Sequence, residues 1–309
     1  MIKSSGHIPF YRQMIVLLRN AFDLLDEQGR AEVLHFITSQ QNADGGFQDR
    51  GGRSDLYYSL FGMMLLRAVE KETEDRRPKT VDRAPFPERE AVEGNPQLVA
   101  ESILKLRQFI IQQSSSEVPG FIEKCCLVLL QKDLKTDRFS RIKAFFSLGR
   151  SFWKERTSIN LSYRSFVLFL TLDAIFPFRR FLKMASKRML AQTMVDANSP
   201  CSEVAAKVFL QKMMNQDGAE AQELLKSFAC QLGGFKAFLH LQQADMLSTA
   251  VALFSLNYAG CDLRLLKPGC LDFIQQSFSD GAFHSGDGDQ TADVEYTFYG
   301  LLALGILAT

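Results

Sequence analysis

Three absences narrow the class of protein that this 309-residue sequence encodes. The longest uncharged stretches, 246–261 and 296–309, are shorter than the ~20 apolar residues that cross a bilayer. There is no excess of one charge, because 36 lysines and arginines are balanced by 35 aspartates and glutamates. That balance argues against a surface that binds nucleic acid by counterion release. We therefore expect neither a transmembrane segment nor a nucleic-acid partner.

Metal-binding and secretory signals are also missing. None of the six cysteines forms a C-x-x-C pair, and the four histidines show no metal-ligand spacing with them. Buried free thiols are the expectation. The N-terminal apolar run at 14–18 is too short for a signal-peptide core. These observations predict a cytoplasmic protein.

Apolar and aromatic residues are abundant. Hydrophobic residues make up 46% of the chain and charged residues 23%, which are values of a globular protein. Phenylalanine occurs 26 times, which indicates a large aromatic interior. Residues 71–97 differ, with 13 charges and four prolines, and are predicted to form a solvated inserted loop.

An internal repeat predicts the architecture. Segments 55–66, 245–256 and 293–304 align without gaps, and each begins with Asp, has Ser or Thr four residues later and ends with Leu. A glycine-aromatic turn precedes each one, at 45–47, 233–235 and 281–283. Glycines let the chain turn, Asp accepts hydrogen bonds at a helix start, and a helix that is apolar all round is buried. Each unit thus predicts a turn, a capping Asp and a buried inner helix.

Weaker copies complete the pattern, with frames beginning at 161 and near 119 and 199. More amphipathic outer helices are predicted at 29–38, 96–113, 178–195, 220–229 and 265–278. Helical pairs with a period of roughly 40–50 residues stack into a solenoid or a ring. Because the apolar C-terminal helix needs a neighbour, closure is favoured. The prediction is an all-α protein in which residues 1–309 form a single α/α toroid of about six helical hairpins.

Two protein families resemble these motifs. The pattern Phe36-Ile37-x-x-x-Gln41-x-x-x-Gly45-x-Phe47 resembles the QW repeat of squalene–hopene cyclases and related terpene cyclases, with Phe in place of Trp. The Gly-Gly-Phe turn followed by Asp-x-x-Tyr-Ser/Thr is similar to β subunits of protein prenyltransferases. Both families have the α/α-toroid fold. The resemblance implies an isoprenoid- or lipid-handling protein with an apolar central cavity.

The prenyltransferase resemblance does not extend to the zinc ligands. In those β subunits, zinc is bound through an Asp-x-Cys-Tyr-Ser motif and a later His. Here Asp55 is present, but Tyr57 occupies the place of the thiolate and Tyr296 the place of the His. A phenol is a poor zinc ligand near neutral pH. We therefore expect no metal and no other cofactor.

The cyclase resemblance implies a general acid at the start of an inner helix. Asp245 keeps the outer Asp of the Asp-x-Asp-Asp-Thr-Ala motif, and Asp293 is followed by Glu295 at the acid position. Asp245, Asp293 and Glu295 are therefore the catalytic candidates, with Glu295 as the protonated acid. Helix capping and a favourable helix dipole explain the same three residues without catalysis. The similar string at 287–292 is expected to be an acidic loop.

Aromatic residues at the same helix starts are candidates for substrate binding. Tyr57, Tyr58, Tyr296 and Tyr299 are expected to line the cavity, where ring faces stabilise cations. Structural packing is the alternative. Arg50 and Arg53 follow the first Gly-Gly-Phe turn and are expected near the mouth of the ring. Arg53 and Asp55 are included among the substrate-binding candidates.

Three functions stay open at this stage. The first is an isoprenoid- or lipid-handling protein; if it is an enzyme, a metal-independent class II-like terpene cyclase (an isomerase) fits better than a zinc-dependent transferase. The second is a catalytically silent toroid that binds or assembles with other molecules, and the third is a β-like prenyltransferase subunit with a protein partner. The basic stretch 179–188 predicts a solvated outer face, with contact to a diphosphate, an acidic partner or a membrane surface as the alternatives.

Overall fold

The computed structural model describes residues 8–70, 96–114, 120–136, 140–154, 161–176 and 194–309. Two short antiparallel hairpins pair β1 (Phe47–Gln48) with β2 (Ser54–Asp55), and β3 (Phe278–Ser279) with β4 (Ala282–Phe283). The helices in these ranges are α1 (Phe10–Leu24), α2 (Glu27–Ser39), α3 (Leu56–Val69), α4 (Pro96–Gln113), α5 (Phe121–Asp133), α6 (Arg141–Lys154), α7 (Leu161–Ile175), α8 (Cys201–Met213), α9 (Ala219–Lys226), α10 (Met246–Ala259), α11 (Lys267–Gln276) and α12 (Val294–Leu307). The all-α prediction is confirmed.

Six helices form a closed inner ring. Helix α3 packs on α5, and the contacts continue through α7, α8, α10 and α12 back to α3. All six predicted inner helices are present, and closure of the toroid is confirmed. Helices α2, α4, α6, α9 and α11 pack on the outside of this ring. The sequence did not predict α6.

Two predicted segments cannot be compared in full. The predicted outer helix at 178–195 lies outside the described residues except for its last two residues. The basic stretch 179–188 within it lies wholly outside them. The charged loop predicted at 71–97 also lies outside them, except that its last two residues, Pro96 and Gln97, begin α4. No disulfide joins the six cysteines, all of which the structure describes. Four of them are buried as expected, whereas Cys230 and Cys261 are only partly buried.

The repeat is a physical unit because its turn and its helix are hydrogen-bonded together. The Ser or Thr four residues after each Asp accepts a hydrogen bond from the backbone N–H of the turn phenylalanine. The distances are 2.9 Å from Phe47 N to Ser59 Oγ, 2.8 Å from Phe235 N to Thr249 Oγ1 and 3.3 Å from Phe283 N to Thr297 Oγ1. These bonds satisfy buried backbone donors that would otherwise lose their water.

The three repeated aspartates cap their helices as the sequence predicts. Asp55 accepts from Tyr57 N at 2.7 Å and from Tyr58 N at 3.1 Å. Asp245 accepts from Ser248 N at 2.7 Å, and Asp293 accepts from Tyr296 N at 2.7 Å. Each aspartate thus supplies an acceptor for N–H groups that have no partner within the helix.

The turn glycines join each repeat to the next one. Gly45, Gly233 and Gly281 all have positive φ, and a side chain on any of them would overlap the backbone of an outer helix. Gly45 lies against α4 and Gly233 against α11, whereas Gly281 of the last repeat lies against α2 of the first. The same backbone contact that links successive repeats therefore closes the ring.

Helix α1 covers one end of the ring, which the sequence did not predict. It packs on α3, α7 and α12. The N–H of Phe10, at the start of α1, donates to the buried Asp173 of α7 at 2.9 Å. Near its C-terminal end, Arg19 donates to the carbonyl of Arg67 at 3.2 Å, at the end of α3. Helix α1 is thus anchored by contacts with inner helices and forms the floor of the toroid.

Candidate functional site

An apolar cavity of about 270 Å3 lies inside the ring. All six inner helices contribute to its wall, and Tyr11 and Met14 of α1 form its floor. The volume is slightly below the ~300–1,000 Å3 of typical small-molecule pockets. The cavity therefore has room for a short apolar chain.

The wall is built by a regular helical register. The layer near the helix starts contains Tyr57, Ile122, Tyr163, Ser202 and Leu247. Four residues further along each helix lies a second layer, which contains Phe61, Cys126, Val167, Ala206, Val251 and Tyr299. Three residues beyond that, a third layer contains Met64, Leu129, Leu170, Phe254 and Leu302. Because i, i+4 and i+7 share one helix face, each inner helix presents a single stripe to the cavity.

A wider and more polar recess of about 640 Å3 lies at the N-terminal ends of α8, α10 and α12. It shares Ser202 and Leu247 with the central cavity, so the two spaces meet at these residues. We call it the mouth. Two carboxylates, Asp245 and Asp287, line the mouth together with Tyr296, and no lysine or arginine is among its described lining residues. Burial raises the pKa of Asp245, and the charge of Asp287 adds to this effect.

Glu295 and Tyr57 form the polar group at the top of the cavity. The hydroxyl of Tyr57 donates to Glu295 Oε1 at 2.7 Å. Burial raises the pKa of Glu295 to about 7; the Tyr57 hydrogen bond opposes this shift, and the charge of Asp293 adds to it. A carboxyl group with this pKa is partly protonated at neutral pH. Glu295 lies behind Tyr57, because Tyr57 lines the cavity and Glu295 does not.

Two further tyrosines surround the Tyr57 hydroxyl. Tyr163 of α7 and Tyr299 of α12 both line the cavity, and both lie near enough to Tyr57 to interact with it electrostatically. Burial raises the pKa of Tyr57, Tyr163 and Tyr299, so all three remain neutral phenols. Tyr58 lies beside the group, and burial raises its pKa as well. The result is a cluster of hydroxyl donors around one carboxyl group.

Arg50 joins the first repeat to the last one. Its Nε donates to the buried Asp293 at 2.9 Å, and its second nitrogen donates to Asp289 at 3.1 Å. Its guanidinium also lies 5.1 Å from the ring centre of Tyr296. This charge is already balanced by two carboxylates, so Arg50 holds the ring closed and is not free to bind an anion. Asp289 belongs to the loop expected at 287–292, which precedes α12.

The predicted site residues are divided among these places. Tyr57 and Tyr299 line the central cavity, while Tyr296 and Asp245 line the mouth. Asp55 and Asp293 are helix caps, and Asp293 is also the partner of Arg50. Arg53 is exposed on the β1–β2 turn and lines neither space.

Sequence reasoning missed Tyr163, although the repeat frame could have found it. The frame that begins at 161 has no Asp at its start, so the helix lacks a local cap. Glu203 of α8 supplies that cap, because it accepts from Ser162 N at 3.0 Å and from Tyr163 N at 2.9 Å. Tyr163 then occupies the same place on α7 as Tyr57 on α3. Tyr11 and Met14 gave no comparable signal, because α1 is outside the repeat.

The residues at the zinc positions of prenyltransferases do not fit a zinc ion. Asp55 is engaged as a helix cap, Tyr57 donates its hydroxyl proton to Glu295, and Tyr296 lies under a guanidinium. Neutral phenols are poor zinc ligands. Within the described residues, no three His, Cys, Asp or Glu side chains converge in a way that could hold a metal ion.

A closed α/α toroid with an apolar centre defines the structural class of this protein. Comparison with known families agrees, because the prenyltransferase alpha-alpha toroid domain matches residues 10–100 and 178–309. The chain therefore belongs to the prenyltransferase alpha-alpha toroid domain family. No curated protein and no solved structure matches it significantly. No helix in the described ranges combines the length and apolarity needed to cross a membrane.

Proposed function

We propose that this protein binds a short isoprenoid or similarly apolar chain in the central cavity. The observation that supports the proposal is the cavity wall, which is predominantly apolar apart from its tyrosine and serine hydroxyl groups. Removing an apolar chain from water into such a space is favourable in proportion to the area buried. The floor formed by α1 stops the chain at one end, and the mouth admits it at the other.

The mouth favours an uncharged or cationic head group over a diphosphate. A diphosphate entering there would meet Asp245 and Asp287 without a lysine or arginine in the described lining. Like charges at close range are destabilising, and Arg50 is already paired with two carboxylates. We therefore propose a hydrocarbon or an alcohol, not a prenyl diphosphate, as the ligand class.

A cavity-filling variant tests this function. Ala206 lies in the middle layer of the wall, so Ala206→Phe is expected to fill the space. We expect geraniol or farnesol to raise the melting temperature of the wild type, and the variant to lose this response. Ala100→Phe, on the exposed face of α4, is the matched control. The diphosphate of the same chain is expected to bind more weakly than the alcohol. Absence of any response in the wild type would leave the silent binding or assembly subunit as the better explanation.

A second candidate function, proton transfer to an alkene, is favoured by the pKa of Glu295. A carboxyl group whose pKa is about 7 is available as an acid at neutral pH. Tyr57 stands between Glu295 and the cavity. When Glu295 is protonated, its O–H would donate to the Tyr57 oxygen, and the Tyr57 proton would pass to the alkene carbon in the same step as the Glu295 proton replaces it, so that Glu295 ends as the carboxylate and no tyrosinate forms. The resulting cation would lie among Phe61, Phe298 and Tyr299, whose rings line the cavity. Loss of a proton from a neighbouring carbon back to this pair would give an isomerised or cyclised alkene.

The test of this second function is product formation from short polyenes of a size that fits the cavity of about 270 Å3. Tyr57→Phe removes the hydroxyl at the cavity wall and keeps the ring, and is expected to abolish turnover while ligand binding remains. Turnover that is equal in Tyr57→Phe and wild type would exclude the proposed proton path. Binding without turnover in the wild type would leave only the first function.

A further inference from the structure

Helix α6 carries an apolar stripe on its exposed side. Ile142, Phe146 and Trp153 are 68%, 70% and 63% exposed. At 100° per residue, their positions fall within about 40° of one another around the helix axis. The opposite face, which includes Ala144, Leu148 and Phe152, is buried against α5 and α7. Helix α6 is therefore apolar on two sides: one packs against α5 and α7, and the side that carries Ile142 and Phe146 is exposed.

Two other outer helices, α2 and α11, have polar exposed faces. The exposed positions of α2 include Glu27, Gln28 and His35, and those of α11 include Asp272 and Gln275. These polar faces are what an outer helix in contact with water requires. Helix α4 exposes Leu104 and Ile111, but these are aliphatic and the same helix also exposes the acidic Glu101. An exposed stripe with aromatic rings is thus not a general property of the outer ring.

The charge on α6 identifies the kind of surface that fits it. Arg141, Lys143, Arg150 and Lys154 are all exposed, and the helix contains no acidic residue. Three of these basic residues lie along one edge of the stripe. An exposed apolar face with Trp and Phe, bordered by basic residues, is the pattern of helices that lie in the interface of a negatively charged bilayer.

We infer that α6 docks onto the surface of an anionic lipid membrane. The Ile142, Phe146 and Trp153 side chains enter the headgroup boundary, and the four basic residues contact lipid phosphates. A second copy of the same face would bring four positive charges against four others, which disfavours self-association. Residues 177–193 carry five basic and no acidic residues, so this segment also offers no complementary charge. This inference does not depend on the proposed cavity ligand.

Trp153 is the only tryptophan in the chain, so its fluorescence reports on α6 alone. The full-length protein is mixed with vesicles of phosphatidylcholine, or of phosphatidylcholine and phosphatidylglycerol in equal amounts. We expect a blue shift of the emission and co-sedimentation with the anionic vesicles, little effect with phosphatidylcholine alone, and reversal by added salt. No blue shift and no co-sedimentation with anionic vesicles at low salt would overturn the inference.

Variants distinguish α6 from the rest of the surface. Ile142→Ser with Phe146→Ser, and separately Lys143→Glu with Arg150→Glu, are each expected to lower the vesicle partition coefficient about tenfold or more. Leu265→Ser is the control, since Leu265 is 96% exposed on another part of the molecule. Equal partitioning of the α6 variants and wild type would overturn the inference. So would an emission shift that grows with protein concentration without vesicles, which would show a second copy on this face.

Discussion

Replacing Glu295 by Gln directly tests the electrostatics at the top of the cavity. The amide keeps an acceptor oxygen for the Tyr57 hydroxyl, which lies 2.7 Å from Glu295 Oε1. The substitution also removes the ionisable carboxyl group, so that position 295 no longer titrates. The variant therefore separates the hydrogen bond, which it retains, from the cost of holding a carboxylate in a partly desolvated place.

The expected effect depends on pH in a defined direction. Burial raises the pKa of Glu295 from 4.5 to about 7 in the folded protein. Below pH 4.5 the group is protonated in both states and costs no stability. As the pH rises from 4.5 to 7, the unfolded state gives up its proton first, so the folded state becomes progressively less stable. At about 1.4 kcal/mol per pH unit, this interval corresponds to a cost of about 3 kcal/mol above pH 7.

Urea denaturation at pH 5 and pH 8 measures this effect. We expect Glu295→Gln to be within about 1 kcal/mol of wild type at pH 5 and up to about 3 kcal/mol more stable at pH 8. The informative quantity is how the difference in the free energy of unfolding between variant and wild type changes from pH 5 to pH 8. Other groups titrate equally in both proteins and cancel in this difference. Glu101→Gln, at an exposed position of α4, is the control and is expected to show no such change.

A difference between Glu295→Gln and wild type that is the same at both pH values would refute this reasoning. It would mean that the carboxylate of Glu295 is as well solvated in the folded protein as in the unfolded chain. The protonated acid would then be absent at neutral pH, and the proton path through Tyr57 would lose its basis.

Three other substitutions test the repeat unit, each by urea denaturation. Asp245→Ala is expected to lower the free energy of unfolding by about 0.5–2 kcal/mol through loss of a helix cap; the exposed Asp272→Ala is the control, and equal losses would contradict the capping role. Gly300→Ala is expected to cost about 1–3 kcal/mol, because the methyl group would overlap the Phe283 ring; unchanged stability would show that the turn moves aside. Thr249→Val is expected to cost about 1–3 kcal/mol, because a buried turn N–H loses its acceptor; a neutral result would mean that another acceptor replaces it.

Three of the inner helices were directly predictable, because each of them is defined by contacts within about fifteen residues. A turn phenylalanine, a capping aspartate and the Ser or Thr that binds the turn all lie in one segment, so the motif is visible in the sequence. Ring closure was predictable for a related reason. The apolar helix at the C-terminus requires a neighbour, and the first repeat supplies it.

The site depended on contacts between distant residues, which no local pattern encodes. Glu203 caps a helix that begins 42 residues earlier, and so places Tyr163 beside Tyr57. Helix α1 has no repeat motif, yet it forms the floor because Asp173 accepts from its first N–H. Glu295 was expected at the cavity, but the Tyr57 side chain lies in front of it.

The sequence by itself thus determined the toroid, its six inner helices and the aspartate caps of three of them, because backbone hydrogen bonding and apolar periodicity are local properties. Only the tertiary structure decided the volume of the cavity, the acidic character of its mouth and the pKa of Glu295. Each of these depends on which side chains from different repeats meet at one place. Burial and charge at that place, not residue type, determine what the side chains can do.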